Sequence, residues 1–183
     1  MKKYKALNKQ VYTFRDKILL PIRKEDKYLI LKWRNEQIYH LRQRQPLTLA
    51  NQDAYFDNVV AKLFEQEQPN QLLFSFLEDE VCIGYGGLVH INWVDKNAEI
   101  SFIMNTVLEA ERFEAIWTAY LQLLEQVAFQ ELQFHKIYTY AFDLRPHLYS
   151  VFLKAGYMEE ARLKEHCYFE NKFIDVVIHS KIN

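Results

Sequence analysis

A mixed α/β (α+β) fold, with helices packed on a mostly antiparallel sheet of about seven strands, is what three features of this sequence predict. Residues 72–104 hold three successive β-rich runs separated by short polar turns. Residues 108–132, LEAERFEAIWTAYLQLLEQVAFQEL, repeat apolar side chains at helical spacing. The chain then ends on a strand, a short helix and two further β-rich runs.

Each element has its own local signal. VYTFRDKILLPIR (11–23) alternates and is rich in β-formers, which predicts one strand with Pro21 near its end. In 24–42, Tyr28, Ile30, Leu31 and Trp33 to Ile38 fall at helical spacing, with a break expected near Asn35. Pro46 to Thr48 make a loop. Asn51 or Asp53 then caps a helix over AYFDNVVAKLFEQ. LLFSFLE and VCIGYGGLVHINW read as strands across the acidic turn at Glu78–Glu80, and NAEISFIM follows as a third, giving an antiparallel meander. HKIYTYAF is a strand. Arg145 to Ala155 is a helix with Pro146 in its first turn and Gly156 after its end. The last residues close as a hairpin around Glu170–Lys172.

Bulk composition narrows the function classes. The chain of 183 residues suggests one domain over 1–183, and its 50% apolar content supports a substantial core. With 23 basic and 24 acidic side chains the net charge is -1, so there is no global pull toward nucleic acid or an anionic membrane. No run approaches the ~20 apolar residues of a membrane span, and the first ten residues lack a secretory pattern. Cys82 and Cys167 are far apart, consistent with reduced thiols and a cytoplasmic location. No metal-ligand spacing is present. Three of the four glycines, Gly84, Gly86 and Gly87, lie in one strand pattern, where they mark a bulge or a close backbone approach rather than a phosphate loop.

Four segments in this order resemble the GNAT family of acyl-CoA-dependent N-acyltransferases. They are WRNE (33–36), IGYGGLVHINWVDKNAEISFIM (83–104), VAFQELQFHKIYTYAF (127–142) and FLKAGYMEEARLKEHCYFENKFIDVVI (152–178). The chain is most similar to the branch with ribosomal-protein N-terminal and amino-sugar acetyltransferases. The resemblance implies acetyl-CoA as co-substrate, lying where the fourth and fifth strands splay. Strand N–H groups around Phe102, Ile103 and Met104 would bind it there, and the N-terminus of the following helix would face its diphosphate. The family's phosphate loop, Q/R-x-x-G-x-G/A, falls on Arg112 to Ala115, with Phe113 and Ala115 in place of its glycines. At the short helix the family's Asn and proton-donating Tyr fall on Arg145 and Phe152.

Amine acylation needs a base for the ammonium, a polarised carbonyl and an acid for the thiolate. Glu99 is the base expected beside the cleft, with His90 facing it from the preceding strand. Tyr149, three residues before Phe152 on the same helix face, is the substitute acid. Arg112 and Arg145 are expected anion contacts, unless Arg145 pairs with Asp143. Trp33, Arg34 and Asn35 are expected to line the acceptor pocket. The expected activity is acetyl transfer to a primary amine of a small molecule, such as an amino-sugar nucleotide, or to a protein N-terminus, by direct attack. The alternatives are a GNAT-fold binding or assembly protein, or an enzyme with another acyl donor. The aromatic-rich final strands leave a homodimer open.

Overall fold

A computed structural model describes residues 2–183. The sheet runs β1 (Tyr12–Phe14), β2 (Lys17–Pro21), β3 (Leu72–Glu78), β4 (Val81–Asn92), β5 (Asn97–Met104), β6 (Lys136–Tyr138), then β9 (Lys172–Ile182) and β7 (Ala141–Phe142), with β8 (Met158–Phe169) also on β9. Among the described residues only β5 and β6 pair parallel. The helices are α1 (Lys27–Glu36), α2 (Leu49–Tyr55), α3 (Ala61–Leu63), α4 (Thr106–Glu125) and α5 (His147–Lys154).

The sheet has nine strands rather than seven because two expected strands are divided. The first turns back on itself at Arg15, which takes a left-handed φ of 56°, so β1 and β2 form a hairpin. The run HKIYTYAF is interrupted at Thr139–Tyr140 and meets β9 as β6 and β7.

Helix boundaries also differ from the local reading. Thr48, not Asn51 or Asp53, caps α2, in a reciprocal capping box with Asn51. A π-turn at Phe56–Val60 then joins α2 to α3. The first helix ends at Glu36, and Ile38–His40 is a separate turn. The long helix begins at Thr106, where the Asn105 side chain accepts from the Val107 N–H. Arg112, Phe113 and Ala115 therefore lie inside a helix, not at its mouth. Their backbone N–H groups are used within it.

The core follows from the periodicities. Helix α4 buries Ile116, Trp117, Tyr120, Leu121 and Leu124 against the sheet, each worth roughly 1.5–3 kcal/mol of transfer free energy. Phe102 of β5 stacks on Tyr120 at 3.8 Å and meets Trp117 edge-on at 4.9 Å. Because strand side chains alternate, Glu99, Ser101 and Ile103 face the other side, where α1 packs. The glycines of β4 permit close approach: a Cβ at Gly86 would sit 2.0 Å from the Ser101 carbonyl oxygen. At Gly87 it would sit 1.8 Å from that of Leu72. The strand bulges twice, at Ile83 just before Gly84 in its pairing with β3, and again between Val89 and Asn92 in its pairing with β5.

Candidate active site

The cleft lies where the sheet comes apart. β5 and β6 pair through three rungs only, Asn97–Lys136, Ala98–Ile137 and Glu99–Tyr138. Beyond Glu99, β5 continues on β4 alone to Met104, while the other chain turns through Thr139 and Tyr140 to β9. The gap holds about 110 Å³ and is lined by Glu99 to Ile103, Arg34, Arg42, Tyr140, Arg145 and Tyr149.

Glu99 is at the root of this gap and is 6% exposed. Burial raises its carboxyl pKa, and the charges of Arg42 and His90 work against that rise. Arg42 reaches in from the loop after α1, ion-paired with Glu99 and set over the Tyr140 ring at 4.8 Å. It thus bridges the two sides of the cleft. His90 Nε2 is 3.8 Å from the second Glu99 oxygen, and its backbone is left-handed at φ 49°. The structure therefore brings Glu99 and His90 together, and it adds Arg42, which sequence reasoning missed. Arg42 lies 57 residues from its partner in a segment without periodicity, so no local pattern could have marked it.

The other expected residues divide by position. Arg34 lines the cleft, donating from Nε to Gln43 Oε1 at 3.0 Å and from Nη1 to the Tyr85 hydroxyl at 2.7 Å. Trp33 is buried in the core at 2% exposure and lies outside the cleft lining, a correction to its expected place in the acceptor pocket. One helix turn cannot aim Trp33 and Arg34 at the same surface. Asn35 clamps the loop instead, donating to the Leu47 carbonyl at 2.9 Å and accepting from the Leu47 N–H at 2.8 Å. That loop carries Arg42.

Arg112 points away from the cleft. It forks onto Glu78 at 2.8 and 2.5 Å, and Glu78 also takes Lys17 at 2.5 Å. Hydrogen bonds from these two cations hold the Glu78 carboxyl down at about 2. Phe113 packs on the His147 ring at 4.5 Å, between α4 and α5, and Ala115 lies on the same far side of the helix as Arg112. All three are displaced from the expected phosphate loop because helix α4 starts earlier and rotates them elsewhere. Phe102 presents its ring to the core, leaving its backbone at the cleft; Ile103 lines the cleft. The Met104 carbonyl accepts from Gln37 Nε2 at 2.7 Å.

Arg145 does line the cleft, and its partner is Glu109 at 3.4 Å rather than Asp143. Asp143 instead accepts from the Tyr149 hydroxyl at 2.6 Å and pairs with Arg162. Burial, with the Asp143 charge, raises the Tyr149 pKa above its ordinary value. Next to Arg145, His40 is pushed down to about 3 by burial and by that guanidinium. Among the described residues no cluster of His, Cys, Asp and Glu suits a metal ion, and no described helix is long and apolar enough to cross a membrane.

A parted sheet with a carboxylate at its fork accords with comparison to known proteins. Residues 19–178 match the family model of the acetyltransferase (GNAT) domain. The chain belongs to this family. The GNAT fold is also that of the spermidine N-acetyltransferase from Vibrio cholerae, solved with CoA and spermine. It matches at a TM-score of 0.78 and 17% identity, over 92% of this chain and 96% of that one. A structure named as a probable acetyltransferase matches at 0.75 and 19%, over 94% and 97%. Identities this low speak to the fold alone.

As a GNAT acetyltransferase, the chain uses acetyl-CoA as co-substrate. The residues fit its acyl end: the β5 edge from Ile100 to Ile103 has no strand partner on the cleft side, leaving backbone groups for amide-like ligands, whereas the Met104 carbonyl is taken by Gln37. The α4 start, where the diphosphate would lie, has no glycine cradle. Asn105 caps the α4 start, Glu109 occupies its first turn, and Arg145 is the cation beside it.

Proposed function

We propose that this GNAT enzyme acetylates a primary amine by direct attack in a ternary complex, with Glu99 as the general base. The acceptor is a small molecule such as an amino-sugar nucleotide, or else a protein N-terminus. Acetyl-CoA supplies the acetyl group as a thioester. Glu99 takes the proton from the acceptor ammonium, directly or through one water. The amine nitrogen then bonds to the acetyl carbon; as the carbon–sulfur bond breaks, the nitrogen gives up its second proton to solvent and the departing thiolate takes one from the acid. Tyr149 is the donor in this reading and must turn its hydroxyl from Asp143 to serve.

The observation that carries the proposal is the Glu99 carboxyl, raised by burial, at the last rung before the strands part. A base with a raised pKa works nearer neutral pH than an ordinary carboxylate. Glu99→Gln tests it: kcat should fall by about 10²–10⁴ with acetyl-CoA affinity unchanged. Full activity in this variant would sink the assignment. A cytoplasmic location belongs to the same proposal. So does a homodimer through β8 and β9, where Tyr168 and Phe173 stay exposed with ring centroids 5.1 Å apart.

A further inference from the structure

The acceptor side of the cleft carries a cation that the fold leaves uncompensated. Arg42 has Glu99 and Arg145 has Glu109. Arg34, half-buried, has only neutral partners, the Gln43 amide oxygen and the Tyr85 hydroxyl. Among the described residues no carboxylate lies in ion-pair range of it. A guanidinium carries five N–H donors, so most of its capacity is unused. A half-buried arginine with free donors at a cleft wall is arranged to receive an anion, for which its planar fork suits carboxylate and phosphate.

Its place relative to Glu99 follows from the sheet register. Tyr85, which holds Arg34, pairs with Ile103, and Val89 pairs with Glu99. These rungs lie four residues apart on one face, about 13 Å along the strand. Between them is the rung of Gly87 and Ser101, which raises no large side chain from the floor. On the other side of Arg34 a second cavity of about 370 Å³ is bounded by Leu47, Gln52, Tyr55 and Tyr85. A ligand with its amine at Glu99 and lying along this floor would bring its far end to Arg34 after about 13 Å.

We propose that the acceptor amine carries an anionic group, carboxylate or phosphate, at its far end, and that Arg34 binds it. This rests on the N-acetyltransfer reading with Glu99 as base. Arg34 sets the charge specificity of the site, disfavouring the polycation that the Vibrio cholerae relative binds.

The test is an acetylation panel with acetyl-CoA: ω-amino carboxylates and aminoalkyl phosphates of graded length, diamines of matching lengths, and spermidine. The anionic acceptors should exceed the matched diamines in kcat/KM by about tenfold or more. Arg34→Glu should reverse that order. Arg34→Lys, which keeps the charge and loses the fork, should keep the order at severalfold lower kcat/KM. The better of the two anionic series identifies the group. Calorimetry of an ω-amino carboxylate with wild type and folded Arg34→Lys reads the same contact without turnover, and the variant should bind severalfold more weakly. Equal rates with diamines, or a preference unmoved by Arg34→Glu, would overturn the acceptor-charge proposal and leave transfer standing. Acetylation of no amine of either charge would remove the transfer reading and this one with it.

Discussion

His40 offers a pH dependence whose size can be worked out. It follows α1 in the turn over the cleft, and its ring meets Gln37 Oε1 at 3.2 Å. Burial and the Arg145 charge, itself held by Glu109, move its pKa from 6.5 to about 3. The neutral ring is thus favoured in the folded state. Between those values the unfolded chain binds more protons, so stability rises with pH. The contribution is complete above the unfolded value of 6.5 and is lost as pH falls toward the folded value of about 3. Each unit inside that window is worth about 1.4 kcal/mol, so lowering pH from about 7.5 to about 5 removes roughly 2 kcal/mol. Urea unfolding of wild type and His40→Gln at the two pH values isolates this, because the carboxylates common to both cancel. Wild type should lose roughly 2 kcal/mol more than the variant, equivalent to about 4–8 °C in Tm. Equal losses in the two proteins would refute the claim that His40 is held neutral by its surroundings.

Two further outcomes test the electrostatics of the cleft. Arg42→Gln removes a charge that lowers the Glu99 pKa, so the acidic limb of the kcat/KM–pH profile should move to higher pH; a limb that stays put would separate Arg42 from the base. Glu109→Gln releases Arg145 beside the α4 start, and acetyl-CoA should then bind severalfold more tightly by calorimetry, with weaker binding counting against Arg145 as the diphosphate contact.

Sequence alone determined the elements whose cause is local. The meander of β3 to β5, the helix around Trp117 and Tyr120, and the closing hairpin all follow from spacings of two or 3.6 residues. The same alternation put Glu99 on a strand face beside the expected cleft. Tertiary structure decided what those faces meet. The start of α4 moved to Thr106 because Asn105 caps it, tied through Gln37 and Glu36 of the first helix region to Met104 and Thr106. That earlier start turned Arg112 onto Glu78, a partner 34 residues away. Arg42 on Glu99, Arg145 on Glu109 and Tyr149 on Asp143 are likewise set by which strands neighbour and which loops fold back. Periodicity tells a residue which side to face. Only the assembled sheet fixes the charge it finds there, because an ion pair depends on distance in space and local spacing does not record it.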